Sequence, residues 1–150
     1  MAGEPTKKDI EVEHLRWLAK ALDIYVIQER LKPEELIGKL SSLTLLEYPE
    51  GTEVVREGEP GRDLFILYQG SATVSRDEKE IATMASGDLF GEIGFLVGVP
   101  RTATVTARAG CEAFRCEAKA FEELLCQHPN LVESMRTIAK LRMERLHGPT

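Results

Sequence analysis

Residues 87 to 105 read GDLFGEIGFLVGVPRTATV, with one acid, Glu92, inside an apolar glycine-rich run and one base, Arg101, nine positions later. The segment GEIGFLV is expected to start a short helix near Gly91, whose free N–H groups attract anions. Arg101 follows the turn at Pro100 and can return to the same place, where a guanidinium holds a phosphate through two parallel charge-assisted bonds. Glu92 would repel that phosphate, but its carboxylate accepts a hydrogen bond such as a ribose 2′-hydroxyl donates. A cyclic nucleotide carries both groups on one rigid frame. The residues alone allow this double clamp and equally a plain Glu92–Arg101 ion pair across the turn.

Other chemistries find little support. Hydrolysis of a phosphodiester calls for a metal site or an activated nucleophile. His14, His128 and His147 are scattered, and Cys111, Cys116 and Cys126 lack CxxC spacing. That pattern suits buried, reduced thiols and no metal site. No enzyme activity and no cofactor are expected. The net charge is −6, which argues against nucleic acid as a partner, since phosphate backbones reward clustered Lys and Arg. No apolar run reaches the ~18 residues of a membrane span, and the N-terminus lacks the apolar core of a signal peptide. A cytoplasmic protein without membrane partners is expected.

Three zones must position the clamp. Residues 9–42 read as helical, with Val12, Leu15, Leu18, Ala19, Leu22 and Val26 in one apolar stripe. That stripe either packs on the protein's own core or offers a self-association or partner surface. A second helix is expected from LKPEELIGKL, with Pro33 in its first turn. Residues 43–116 read as strands: LTLLEY, TEVVRE, DLFILYQ, SATVSR, EIATM, TATVTA and CEAFRC, separated by turn signals. In that zone Ala103, Val105 and Ala107 alternate with Thr104 and Thr106, the period of a two-faced strand. Residues 118–146 return to helix, with Asn130 and Glu133 spaced as a cap pair. The expected fold is mainly β with flanking helices: an antiparallel jelly-roll barrel, with a short cassette helix and two C-terminal helices.

The cassette resembles that of the cyclic nucleotide-binding domain family, through Phe90-Gly91-Glu92, Gly94 and Pro100-Arg101-Thr102-Ala103. The upstream REGEPGRDLFILYQGSATV is similar to the family's G-E-x-G-D segment, at Gly58, Glu59, Gly61, Asp63 and Gly70. The resemblance divides the chain into a helical extension, 1–32, and the domain, 33–147. It implies that Arg101 holds the exocyclic phosphate oxygens and Glu92 accepts the ribose 2′-hydroxyl. The backbone of Gly91 and Ile93, and of Thr102 and Ala103, would line phosphate and sugar. The Thr102 hydroxyl would face the purine, leaving the base open between cAMP and cGMP, while Val74 and Met84 would meet it with apolar surface. Gly94 stands where alanine is common and is expected to loosen the short helix slightly. Arg62, between Gly61 and Asp63, departs from the family's direct G-D, at a turn expected to lie far from the clamp.

The implied activity is that of a regulatory sensor in which the C-terminal helices close over the base, with Leu141, Arg142 and Arg145 as lid candidates. Only three residues follow His147, so a C-terminal helix-turn-helix is not expected. The chain then reads as a free-standing sensor acting on a protein effector, or as part of a longer one. The alternative is an interaction or dimerisation scaffold that keeps the fold with little nucleotide binding.

Overall fold

The computed structural model describes residues 3–26, 43–91 and 101–127, together with Glu133 and Thr137. Two antiparallel sheets carry the fold. The first holds β1 (Thr6–Lys8), β2 (Thr44–Tyr48), β9 (Cys111–Cys116), β4 (Leu64–Gln69) and β7 (Leu89–Phe90), side by side in that order. The second holds β3 (Glu53–Val55), β8 (Thr104–Ala107), β5 (Ala72–Arg76) and β6 (Lys79–Met84). Among the described residues, helices α1 (Val12–Val26) and α2 (Ala118–Gln127) accompany them. Each run expected to be a strand contains one. The sheets share no strand among the described residues, so the jelly roll is a two-sheet sandwich and not the closed barrel expected from the sequence.

Side-chain alternation builds the core. Phe65 and Leu67 of β4, Val74 of β5, Met84 of β6, Val105 and Ala107 of β8, and Ala113 of β9 all point between the sheets. Thr104 and Thr106 are only half-buried while Val105 and Ala107 are buried, as the period-two reading of β8 requires. Phe65 and Phe90 face each other across β4 and β7 and stack, ring centroids 5.0 Å apart. That stack places the residue before Gly91 against the sandwich.

The outer face of the first sheet is also covered, so the central strand β9 is buried at five of its six positions. From α1, Trp17 packs on Tyr68 and Phe114, with centroids 4.9 and 6.1 Å apart, and His14 meets the same pair edge-on. Leu18 beside them is fully buried. His14 Nδ1 also accepts the Glu11 N–H at 2.9 Å, closing the first turn of the helix. The apolar stripe therefore serves the protein's own sheet at Leu18 and Ala19. Val12 does not join it and is 64% exposed, because it lies about 200° around the helix from His14. The side chains of Leu22 and Val26, and the whole helix expected from Pro33, lie outside the described residues.

The N-terminal extension is not only helical. Thr6–Lys8 adds an edge strand to β2, where the sequence suggested none before residue 43. Lys8 Nζ reaches the buried Glu112 carboxylate at 2.8 Å, and that hydrogen bond raises the lysine pKa. The β5–β6 hairpin turns tightly at Asp77 and Glu78, with φ of 52° and 66°. Glycine, asparagine and aspartate favour that left-handed region, so Glu78 is the unfavourable residue of the pair. No helix among the described residues is long and apolar enough to cross a membrane.

Candidate functional site

Arg101 is the best-defined member of the site. Its side chain leaves the chain just ahead of β8, yet the residue is only 9% exposed. Two backbone bonds hold its main chain in place: Arg101 N donates to Glu59 O at 2.9 Å, and Gly58 N donates to Arg101 O at 2.8 Å. The guanidinium is aimed by two carbonyls, with Nη1 donating to Gly91 O at 3.1 Å and Nη2 to Asp63 O at 3.2 Å. A planar fork with five donors held this way keeps a fixed direction, which a phosphate clamp needs.

Gly91 and Gly61 make this geometry possible. Gly91 has φ of 87°, and a Cβ there would stand 2.6 Å from Asp63 O and 2.9 Å from Arg101 Nη1. A Cβ on Gly61 would stand 2.9 Å from both Nε and Nη2 of Arg101. Only glycine lets either backbone lie flush against the guanidinium. The Gly61–Asp63 turn, expected to be distant from the clamp, is therefore part of its wall. The reason is the pairing ahead of β8: the backbone bonds of Arg101 to Gly58 and Glu59, which continue the β3–β8 pair, bring a turn that is 38 residues away in sequence onto its side chain. Arg101 also lines a cavity of about 360 Å³, together with Tyr48, Phe65, Gly61, Asp63 and Arg115.

Other expected contacts lie around this centre. Thr102 follows Arg101, and its carbonyl accepts Arg76 Nε at 2.9 Å, a support from β5 that the sequence did not suggest. The next turn is tied down as Thr104 Oγ1 accepts Glu57 N at 2.9 Å. Ala103 is partly buried against the core that contains Val74, Met84 and Phe90. Val74 and Met84 are buried on adjacent strands and point inward, into the core between the sheets. The structure thus brings Phe90, Gly91, Arg101, Thr102 and Ala103 into one region and adds Gly61, Asp63 and Arg76. Glu92, Ile93 and Gly94, and the lid candidates Leu141, Arg142 and Arg145, lie outside the described residues.

The cysteines take no part in this chemistry. Burial pushes the Cys111 thiol up to about 11 and the Cys116 thiol up to about 12, so both stay protonated. Cys126 is exposed on α2.

The fold is an antiparallel jelly roll with a buried, carbonyl-aimed arginine beside a glycine turn. Residues 45–128 match the cyclic nucleotide-binding domain family, and the chain belongs to it. It is 25% identical over 144 residues to the potassium/sodium hyperpolarization-activated cyclic nucleotide-gated channel 4 of Oryctolagus cuniculus, covering 96% of this chain and 12% of the channel. The chain thus spans about an eighth of that relative's length. Among solved structures, a cyclic nucleotide-binding domain from Methylobacillus flagellatus shares the fold, with TM-score 0.80 and 19% identity over 95% of this chain and 85% of that one. The CBD2 domain of PKAR with Sp-2Cl-cAMPS bound superposes with TM-score 0.68 at 29% identity, covering 92% and 94% of the two chains.

Proposed function

We propose that this chain is a regulatory sensor module that binds cAMP, or alternatively cGMP, and has no catalytic activity of its own. Arg101 takes the exocyclic phosphate oxygens and Glu92 the ribose 2′-hydroxyl. The backbone of Gly91, Ile93, Thr102 and Ala103 lines phosphate and sugar, and Val74 and Met84 meet the base. Leu141, Arg142 and Arg145 close over it as a lid, in a domain bounded near residues 33 and 147. The observation that carries this reading is the buried Arg101 guanidinium, aimed by Gly91 O and Asp63 O in a chain of this family. A closed state follows only if the nucleotide binds it more tightly than the open one. The protein resides in the cytoplasm and signals to a protein effector. The scaffold reading draws less support, because Leu18 and Ala19 of the apolar stripe are already buried.

Calorimetric titration with cAMP and with cGMP is the test. Heat with either supports the module, and the tighter ligand assigns the base that Thr102 meets. No heat with either, at high protein concentration, sinks it. Arg101→Ala is expected to weaken binding by about 2–5 kcal/mol, as for a buried charge partner truncated on one side. Unchanged affinity would place the phosphate anchor elsewhere.

A further inference from the structure

Two neighbouring residues of the site are held by different parts of the fold. Arg101 is fixed through its main chain by Gly58 and Glu59, in the loop after β3. Thr102 is held from the opposite flank of β8, where Arg76 Nε of β5 donates to its carbonyl at 2.9 Å. The β5–β8 ladder stops at Ser75 opposite Thr104, so this side-chain bond takes over where backbone pairing ends. Arg76 is half-buried and shares the inward side of β5 with Val74, two residues earlier. Its own position is tied to the same region. Glu57 N donates to Thr104 Oγ1 at 2.9 Å, and Asp77 N, next to Arg76, donates to the Glu57 carboxylate at 3.0 Å. We propose that Arg76 is a specificity-positioning residue: it holds Thr102 in place, so that the choice between guanine and adenine is set apart from the grip on phosphate. The proposal rests on the reading of this pocket as a cyclic nucleotide site with the Thr102 hydroxyl towards the purine.

A hydroxyl discriminates between two ligands only if it stays where they differ. Guanine carries an amino donor at C2, where adenine carries only hydrogen. A threonine hydroxyl accepts from that donor, provided that its own backbone keeps one orientation. The carbonyl that Arg76 holds and the hydroxyl belong to the same residue, so rotation of the 102–103 peptide is checked at its oxygen. The donor is a charged guanidinium, and bonds of that kind are about twice as strong as neutral ones. Phosphate and ribose are the same in both nucleotides, so contacts at Arg101 cannot tell them apart. Arg101 therefore governs how tightly either nucleotide binds, and Arg76, through Thr102, governs the ratio between them.

The experiment is calorimetric titration of each variant with cAMP and with cGMP, read as the ratio of the two affinities. Arg76→Met keeps the apolar stem and removes the donors. It is expected to lower affinity for cGMP relative to cAMP by about two- to tenfold, the span of one net hydrogen bond. Thr102→Ala is expected to move the ratio in the same direction, and the double variant to move it no further, because Arg76 acts through Thr102. Where Arg76→Met does not fold, Arg76→Lys carries the same cycle with a smaller expected shift, since an ammonium lacks the planar fork. Equal loss of both affinities, an unchanged ratio, or a shift that adds to that of Thr102→Ala overturns the proposal and leaves the ligand reading standing. An unchanged ratio in Thr102→Ala overturns it too, because no hydroxyl contact is then there to position. Absence of heat with both nucleotides in the unmodified chain overturns the ligand reading, and this proposal with it.

Discussion

Among the described side chains, α1 and α2 make their contacts through different physics. α1 lies on the first sheet through Trp17, Leu18 and the rings of Tyr68 and Phe114. α2 is held at its start by polar groups: the Asp63 carboxylate on Ala118 N, and Arg62 on Glu122. Apolar contact is non-directional and scales with area, so it holds an element in place over a wide range of conditions. A carboxylate on a helix N-terminus is directional and depends on one residue's position. The contrast makes α1 scaffold, while the beginning of α2 depends on the position of one turn.

The largest expected effect tests the scaffold half. Leu18→Ala should destabilise the whole domain by about 2–5 kcal/mol, read as a lower denaturation midpoint with unchanged slope. A loss confined to α1 would break the contrast, because α1 would then be an appendage.

Alkaline pH presses on the first sheet from both faces. Burial raises Tyr48 to about 12, Cys111 to about 11 and Cys116 to about 12, from ordinary values of 10, 9 and 9. The folded state thus keeps protons that the unfolded chain loses. The stability linked to these groups is full below about pH 9 and falls as pH rises towards 12. Denaturant titrations from pH 7 to 11 should show that decline. In the native state a thiol reagent should label Cys126 alone, with Cys111 and Cys116 reacting only on unfolding; early labelling of either would show a looser first sheet.

Asp63→Ala tests the polar half. Loss of the cap should cost about 1 kcal/mol and raise exchange at the first turn of α2. Exchange in α1 should not move. Equal changes in both helices would erase the distinction between them.

The smallest expected effect is a control. Glu78→Gly relieves a left-handed residue and should add about 1 kcal/mol of stability, measured as a higher melting temperature. It touches neither helix, so exchange in α1 and α2 should keep its difference.

The sequence was most legible where a residue's role depends on its neighbours in the chain. The β-roll runs could be read from alternation and turn residues, and Arg101 from the cassette around it. The two strands that were not legible are β1, of three residues, and β7, of two. Segments that short have no pattern of their own and exist because β2 and β4 offer open edges. His14 and Trp17 stand beside an aliphatic stripe that accounts for the helix without them, while the aromatic cluster needs Tyr68 and Phe114 from two distant strands. The turn at Gly61–Asp63 was legible as a motif and misjudged in place.

By itself the chain determined the class of fold and the family, because alternation, turn chemistry and a compact cassette are local. Tertiary structure decided that the barrel stays an open sandwich and that α1 covers its own sheet. It also decided that Asp63, 38 residues from Arg101, stands between that arginine and α2. Those outcomes depend on which strands pair and at what register, and hydrogen bonds between distant strands leave no trace in the spacing of residues along the chain.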